Sequence, residues 1–178
     1  MSILKVARMG HPVLRAVARP LDRSEIGQPR FQALIDDMIE TMVEYRGVGL
    51  AAPQVHQTLR LFVAFLQEDP DEPGESPSTE PVVVINPEID VVDARSLDDW
   101  EGCLSVPDVR GRVPRARGVT VRALDRAGSP IELRAADFAA RVIQHEADHL
   151  DGVLFFDRMR DLGSLTFLEE YAKYWRRD

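Results

Sequence analysis

The chain has 178 residues, a formal charge of −8 and a single cysteine. That length suits one domain with a sizeable core, the acidic balance argues against broad nucleic-acid binding, and one cysteine excludes an intrachain disulfide. No stretch approaches the roughly 20 apolar residues of a membrane span, and the first residues lack the basic-then-apolar layout of a secretory signal. The expected location is therefore the cytoplasm, or an organellar matrix after removal of a transit peptide.

Phe31, Leu34, Ile35, Met38, Ile39, Met42 and Val43 recur at helical spacing and predict an amphipathic helix, with Gly47 placed for its C-terminal cap. The loop that follows, Gly47-Val48-Gly49-Leu50-Ala51-Ala52-Pro53-Gln54, reads structurally as a helix stop. Its glycines also let a backbone approach a ligand closely, and Gln54 offers a primary amide to a developing oxyanion. Leu59 to Leu66 is an apolar run suited to a buried strand. Residues 68–81 are acidic and rich in Pro, Ser and Gly, and read as a loop within a single domain spanning 1–178. Val82 to Ile85 and Ile89 to Val92 predict two strands separated by an Asn86-Pro87 turn. Arg110, Arg112, Arg115, Arg117, Arg122 and Arg126 form a basic strip, read as a solvated face laced with salt bridges. Val119, Val121 and Ala123 alternate with polar residues, turn residues follow from Asp125 to Pro130, and Ile131 and Leu133 resume the alternation, which predicts a hairpin. A helix is expected from about Asp137 to Leu150. A last helix has Leu165, Leu168, Ala172 and Trp175 on one face, with Thr166 and Glu169 spelling a capping box at its start. The fold class is α+β: short, mainly antiparallel strands around a central metal-binding helix, with an N-terminal and a C-terminal helix.

The helix expected at 137–150 carries His145-Glu146-Ala147-Asp148-His149. Two imidazoles four residues apart lie on one side of one turn and can grip a single divalent ion. Phe138 and Val142 share their stripe, so both rings face the core. Catalytic sites of this kind normally take three protein ligands and leave a position for water. A third His in the pattern HExxHxxGxxH is excluded, because Phe155 stands where it would be. Two candidates remain open by counting: Glu169, at the distance of a thermolysin-like peptidase ligand, and the lone Cys103 in Glu101-Gly102-Cys103-Leu104-Ser105. A third possibility is a non-catalytic module that keeps the metal as a structural staple.

Gly47 to Gln54, Glu101 to Ser105 and Gln144 to Leu150 together resemble the peptide deformylase family, whose motifs read GxGxAAxQ, EGCLS and QHExDHL. Gly10-His11-Pro12, Leu14-Arg15 and the Val153-to-Asp157 run add to the likeness, which covers roughly residues 3 to 160. The resemblance implies an enzyme that removes the N-formyl group from the initiator methionine of newly made polypeptides and releases formate. It implies metal ligation by Cys103, His145 and His149, proton transfer by Glu146, and an oxyanion held by the Gln54 amide and the Leu104 backbone N–H. A methionine pocket would form around Val48 and Val142, and the substrate backbone would pair with Gly47 to Leu50 as an added strand. The resemblance points to Fe²⁺ in the cell, although a Cys/His₂ site also suits Zn²⁺, Ni²⁺ and Co²⁺. Expected partners are N-formylmethionyl nascent peptides, with transient ribosome association and neither membrane nor sequence-specific nucleic acid. Arg141 falls beside the methionine pocket, where an apolar residue is common in the family; its stem is expected to lie along apolar surface with its head in water.

Overall fold

A computed structural model describes residues 2–66 and 80–176. The acidic segment read from the sequence at 68–81 lies outside the described residues except for its last two. Five helices are described: α1 (Arg23–Ile26), α2 (Pro29–Glu44), α3 (Asp137–Leu150), α4 (Phe155–Arg158) and α5 (Leu168–Tyr174). Six strands accompany them: β1 (Gly49–Ala51), β2 (Leu61–Ala64), β3 (Val82–Cys103), β4 (Val106–Leu124), β5 (Pro130–Ala136) and β6 (Thr166–Phe167). Strands β1 to β5 form an antiparallel sheet in chain order, and β6 pairs with β4. The architecture is α+β with an antiparallel sheet.

Helix α2 starts where Pro29 supplies a preset φ at its first turn. It buries Phe31, Ile35, Met38 and Met42 against Leu50, Leu61, Val63 and Ile85 of the sheet. Its end is a Schellman turn: the Gly47 N–H donates to Met42 O at 2.8 Å and the Arg46 N–H to Val43 O at 2.9 Å. The left-handed residue is Arg46, at φ 54°, so the cap falls one residue before the glycine expected to supply it.

Helix α3 packs against β1, β2, β4 and β5, and Ala140, Val142, Ile143 and Leu150 join the buried cluster of Phe62, Val84, Val119 and Val121. Its observed span matches the span read from the sequence. The β4–β5 hairpin likewise forms as expected, with Val121 opposite Leu133.

Three local expectations are corrected. The strands are not all short: β3 has 22 residues and β4 has 19. Asn86-Pro87 does not separate two strands. Asn86 sits at φ 52°, a register shift falls between Ile85 and Glu88, and the strand continues through this bulge. The Asn86 side chain holds the kink by exchanging hydrogen bonds with the Leu21 N–H and C=O at 2.9 and 2.8 Å. At the C-terminus, Thr166 belongs to β6 and its hydroxyl donates to Phe167 O, so no capping box forms. Strand pairing with Val109 and Arg110 takes the residues that the cap would have used, and α5 begins at Leu168, leaving Leu165 outside it.

Candidate metal centre

Three elements converge on the site. The first is α3, which carries His145, Glu146 and His149, all buried. The second is the tip of the β3–β4 hairpin, where Cys103 ends β3 and pairs with Val106 across a two-residue turn. The third is the short 3-10 turn Ala52–Val55, in which the Gln54 side-chain oxygen Oε1 accepts from the Ala51 N–H at 2.8 Å. That bond aims the other end of the amide at the site: Gln54 Nε2 lies 3.5 Å from Cys103 Sγ and 3.2 Å from Ser105 Oγ.

Cys103, His145 and His149 each place a ligand atom within 4.8 Å of the other two, and no other such group of three occurs among the described residues. Cys103 Sγ is 3.2 Å from His149 Nε2. Burial pushes the Cys103 thiol up, but the neighbouring His149 and His145 outweigh it and hold the sulfur well below its ordinary range. Burial likewise pulls His145 down, while Cys103 and Glu101 outweigh it and favour its charged form. The pocket therefore stabilises negative charge on sulfur with positive charge beside it. A cation meets the same demand in place of a proton, and mixed thiolate and imidazole donors suit a borderline-soft divalent ion.

Behind the donors lies an ion network that single motifs did not reveal. Glu101 Oε2 accepts from His145 Nδ1 at 2.9 Å, which leaves Nε2 of that ring to face the site. The same carboxylate accepts from Arg115 at 2.9 and 3.0 Å and from Arg141 Nη1 at 2.8 Å. Burial alone would raise the Glu101 carboxyl, but the hydrogen bonds from His145 and Arg115 hold it well below the usual carboxylate range. Arg115 continues to Asp148 at 2.6 Å, and Asp148 also accepts from Arg158 at 2.7 Å. Two expectations change here. Arg115 belongs to this buried network and not to the solvated strip, whereas Arg112, Arg117, Arg122 and Arg126 do form surface ion pairs. Arg141 is 6% exposed, and its head is not in water: besides Glu101 it donates to Val113 O at 2.8 Å and Leu97 O at 2.7 Å.

Glu146 occupies the space that a side chain at Gly49 would need; a Cβ there would stand 2.7 Å from Glu146 Cδ. Its Oε2 is buried without a hydrogen-bond partner among the described residues, and burial pushes the carboxyl up to about 7 against the pull of both imidazoles. These groups open on a cleft of about 690 Å³, also lined by Gly47, Val48, Gly49, Leu104 and Val142. Leu50 does not line it: its side chain is fully buried in the core beneath α2. Glu169 lies on the exposed α5, outside the donor group.

A buried Cys/His₂ donor set with an unpartnered carboxylate at one wall of a cleft is the arrangement that a metal-assisted hydrolase requires. Residues 3–164 match the model of the family described as polypeptide deformylase. The chain is 42% identical over 171 residues to peptide deformylase 2 of a Nostoc species, covering 96% of this chain and 94% of that protein. It is 45% identical over 164 residues to peptide deformylase 2 of Bordetella bronchiseptica, covering 92% of each. Among solved structures, peptide deformylase from Thermotoga maritima superposes with a TM-score of 0.79 at 38% identity, over 89% of this chain and 99% of that one. A Met-Ala-Ser-bound peptide deformylase from Acinetobacter baumannii gives 0.81 at 40% identity, over 88% and 98%. The chain belongs to the polypeptide deformylase family. It is accordingly an enzyme that removes N-formyl groups from newly made polypeptides, in a family that depends on a metal. No helix among the described residues is long and apolar enough to cross a membrane.

Proposed function

We propose that Cys103, His145 and His149 hold the catalytic divalent ion, and that Glu146 carries the proton as the formyl group is cut from an initiator methionine. The observation that carries this reading is the buried, unpartnered Glu146 Oε2 beside the Cys/His₂ group at the wall of the cleft. When bound, the ion supplies Lewis acidity, which makes water nucleophilic near neutral pH. Glu146 takes the proton that water loses and returns it to the leaving amine, so one carboxylate serves both transfers. Gln54 Nε2, aimed by its own carbonyl's bond to Ala51, and the Leu104 N–H in the turn beside Cys103 donate to the developing oxyanion. Losing one such donor costs about 3 kcal/mol in the barrier. Glu101 holds the His145 ring in the tautomer that offers Nε2 outward.

Among the described residues strand β1 pairs only with β2 and is therefore an edge of the sheet. Its free edge suits an extended peptide added as a further strand, with Gly47, Val48, Gly49 and Leu50 contributing backbone and Val48 and Val142 contributing apolar walls for the methionine side chain. The Acinetobacter relative with bound Met-Ala-Ser supports a peptide in this cleft. Fe²⁺ is the ion assigned in the cell, with Zn²⁺, Ni²⁺ or Co²⁺ able to take its place in purified protein; availability decides among them. The place of action is the cytoplasm, with transient ribosome association.

The test is formate release from formyl-Met-Ala-Ser by anaerobically prepared, metal-assayed protein, with acetyl-Met-Ala-Ser alongside. Rapid cleavage of the formyl peptide alone is expected, because the extra methyl would crowd the glycine loop and makes the carbonyl less electrophilic. Comparable kcat/KM for both peptides would overturn the assignment.

A further inference from the structure

The chain is acidic overall, yet the rim of its cleft is not. Arg8 and Arg46 are exposed on the lining and Arg110 is half-buried there. None of the three makes an ion pair among the described residues, and the one hydrogen bond of the Arg110 guanidinium goes to Val109 O at 3.1 Å. Of the arginines elsewhere on the surface, Arg15, Arg19, Arg122 and Arg126 are paired with carboxylates, while Arg23, Arg30 and Arg160 are unpaired among the described residues but line no part of this cleft.

The three cations are held around the cleft by three separate parts of the fold. Arg8 sits between Ala7, whose N–H donates to Gln54 O at 2.7 Å, and Met9, whose N–H donates to Ser105 O at 2.8 Å. Its backbone is thus pinned to the turns that carry the site. Arg46 takes the left-handed position that ends α2, one residue before the glycine loop. Arg110 folds over Gly102, where its Nε lies 2.8 Å from the place a Cβ would occupy, so the absence of a side chain next to Cys103 makes room for a guanidinium. Of the carboxylates on the same lining, Glu101 is neutralised by Arg115, Arg141 and His145, and Glu146 faces the metal donors. Asp108 alone opposes the three cations.

We propose that Arg8, Arg46 and Arg110 form a cationic rim that selects nascent chains bearing Asp or Glu in the residues just after the initiator methionine. This rests on the deformylase reading of the cleft, because an edge-paired peptide whose methionine enters between Val48 and Val142 carries its following residues out across that rim. Unpaired guanidiniums on a shared concave surface add their fields, attract a passing carboxylate and repel Lys or Arg.

The experiment compares formyl-Met-Ala-Glu-Glu, formyl-Met-Ala-Ser-Ser and formyl-Met-Ala-Lys-Lys at low salt and at 1 M salt. Binding of the deformylated products Met-Ala-Glu-Glu and Met-Ala-Lys-Lys is measured by titration calorimetry. The acidic substrate should exceed the basic one about tenfold in kcat/KM, and the difference should shrink at 1 M salt, where the Debye length is about 3 Å. It should shrink or reverse in the Arg8→Glu/Arg46→Glu double variant, with the neutral peptide reporting whether the site survives. Equal kcat/KM for the three peptides, or a preference unmoved by both salt and the double variant, would overturn the proposal. Charge-dependent binding of the products without any hydrolysis would support the rim while refuting the reaction assigned to the cleft.

Discussion

Replacing Gly49 by Ala tests the placement of Glu146 without touching a donor. The added methyl would meet Glu146 Cδ at 2.7 Å and Cγ at 2.8 Å. Glu146 Oε1 stands closer still, and ordinary contact begins near 3.4 Å, so the carboxylate must retreat by about 1 Å, or the β1 backbone must move away from α3. Both partners are buried and Leu50 and Ala51 beside the glycine are fully enclosed, which leaves the carboxylate as the part that gives way. Overpacking of this size costs about 1–3 kcal/mol of stability, and displacing a catalytic group by about an ångström costs up to a hundredfold in rate. The Gly49→Ala protein should therefore stay folded and retain its metal while kcat for formate release falls on the order of 10- to 100-fold. Metal content by elemental analysis and single-turnover formate release separate the two effects. Parental kcat at full metal loading would refute the reasoning, since Glu146 in its proposed role as proton carrier cannot work unimpaired when displaced by that distance.

Glu146→Ala should keep metal and fold while turnover drops by at least about a hundredfold; metal loss in proportion to rate would reassign Glu146 as a ligand. Arg141→Leu removes a buried cation from Glu101 and leaves the carbonyls of Val113 and Leu97 without that donor, so stability should fall by about 3 kcal/mol, or about 6–12 °C in Tm for a chain of this size. An unchanged Tm would show that the guanidinium contributes nothing net. Asp157→Asn carries a pH signature. The hydrogen bond from Arg15 holds the Asp157 carboxyl below its ordinary range, so its contribution is present above the unfolded carboxylate pKa of about 3.9 and is lost as pH falls through the lower folded value. Both side chains are substantially exposed, which limits the effect to about 0.5 kcal/mol; the variant should melt slightly lower than the parent at pH 7, the gap should close as pH falls below the unfolded carboxylate range, and a gap that widens in acid would contradict the sign.

Much of the site was legible because its chemistry is local in sequence. Helical spacing placed His145, Glu146 and His149 on one side of α3, and the bounds of that helix followed from its apolar stripe. The network behind Cys103, His145 and His149 was harder to see because it is assembled from strands and helices far apart in the chain, although two signals were present. Gly111 and Val113 are buried at alternate positions of β4 and Arg115 continues that parity inward; the alternation breaks at Arg117, which pairs on the surface, and resumes at Val119, Val121 and Ala123. Arg141 stands four residues before His145 on the buried stripe, where a cation has to find partners. The misjudged termini have a different cause. The capping spelling at Thr166 lost to pairing with β4, and the turn spelling at Asn86-Pro87 became a bulge because the Asn86 side chain found Leu21, a contact between distant parts of the chain. Leu50 keeps its side chain beneath α2 and leaves only backbone at the sheet edge, which is all that the expected strand pairing asks of it.

In the proposed site Cys103 completes the metal-binding set with His145 and His149. Metal analysis of Cys103→Ala and Glu169→Ala, purified anaerobically beside the parent and assayed for formate release, tests it most directly. Cys103→Ala leaves only the imidazole pair, so metal content and activity should be lost together. Glu169 lies on the exposed α5 and makes no cap, so its replacement should leave metal and activity at parental levels and change stability by no more than about 0.5 kcal/mol. A metal-replete Cys103→Ala protein beside a metal-free Glu169→Ala protein would contradict the account.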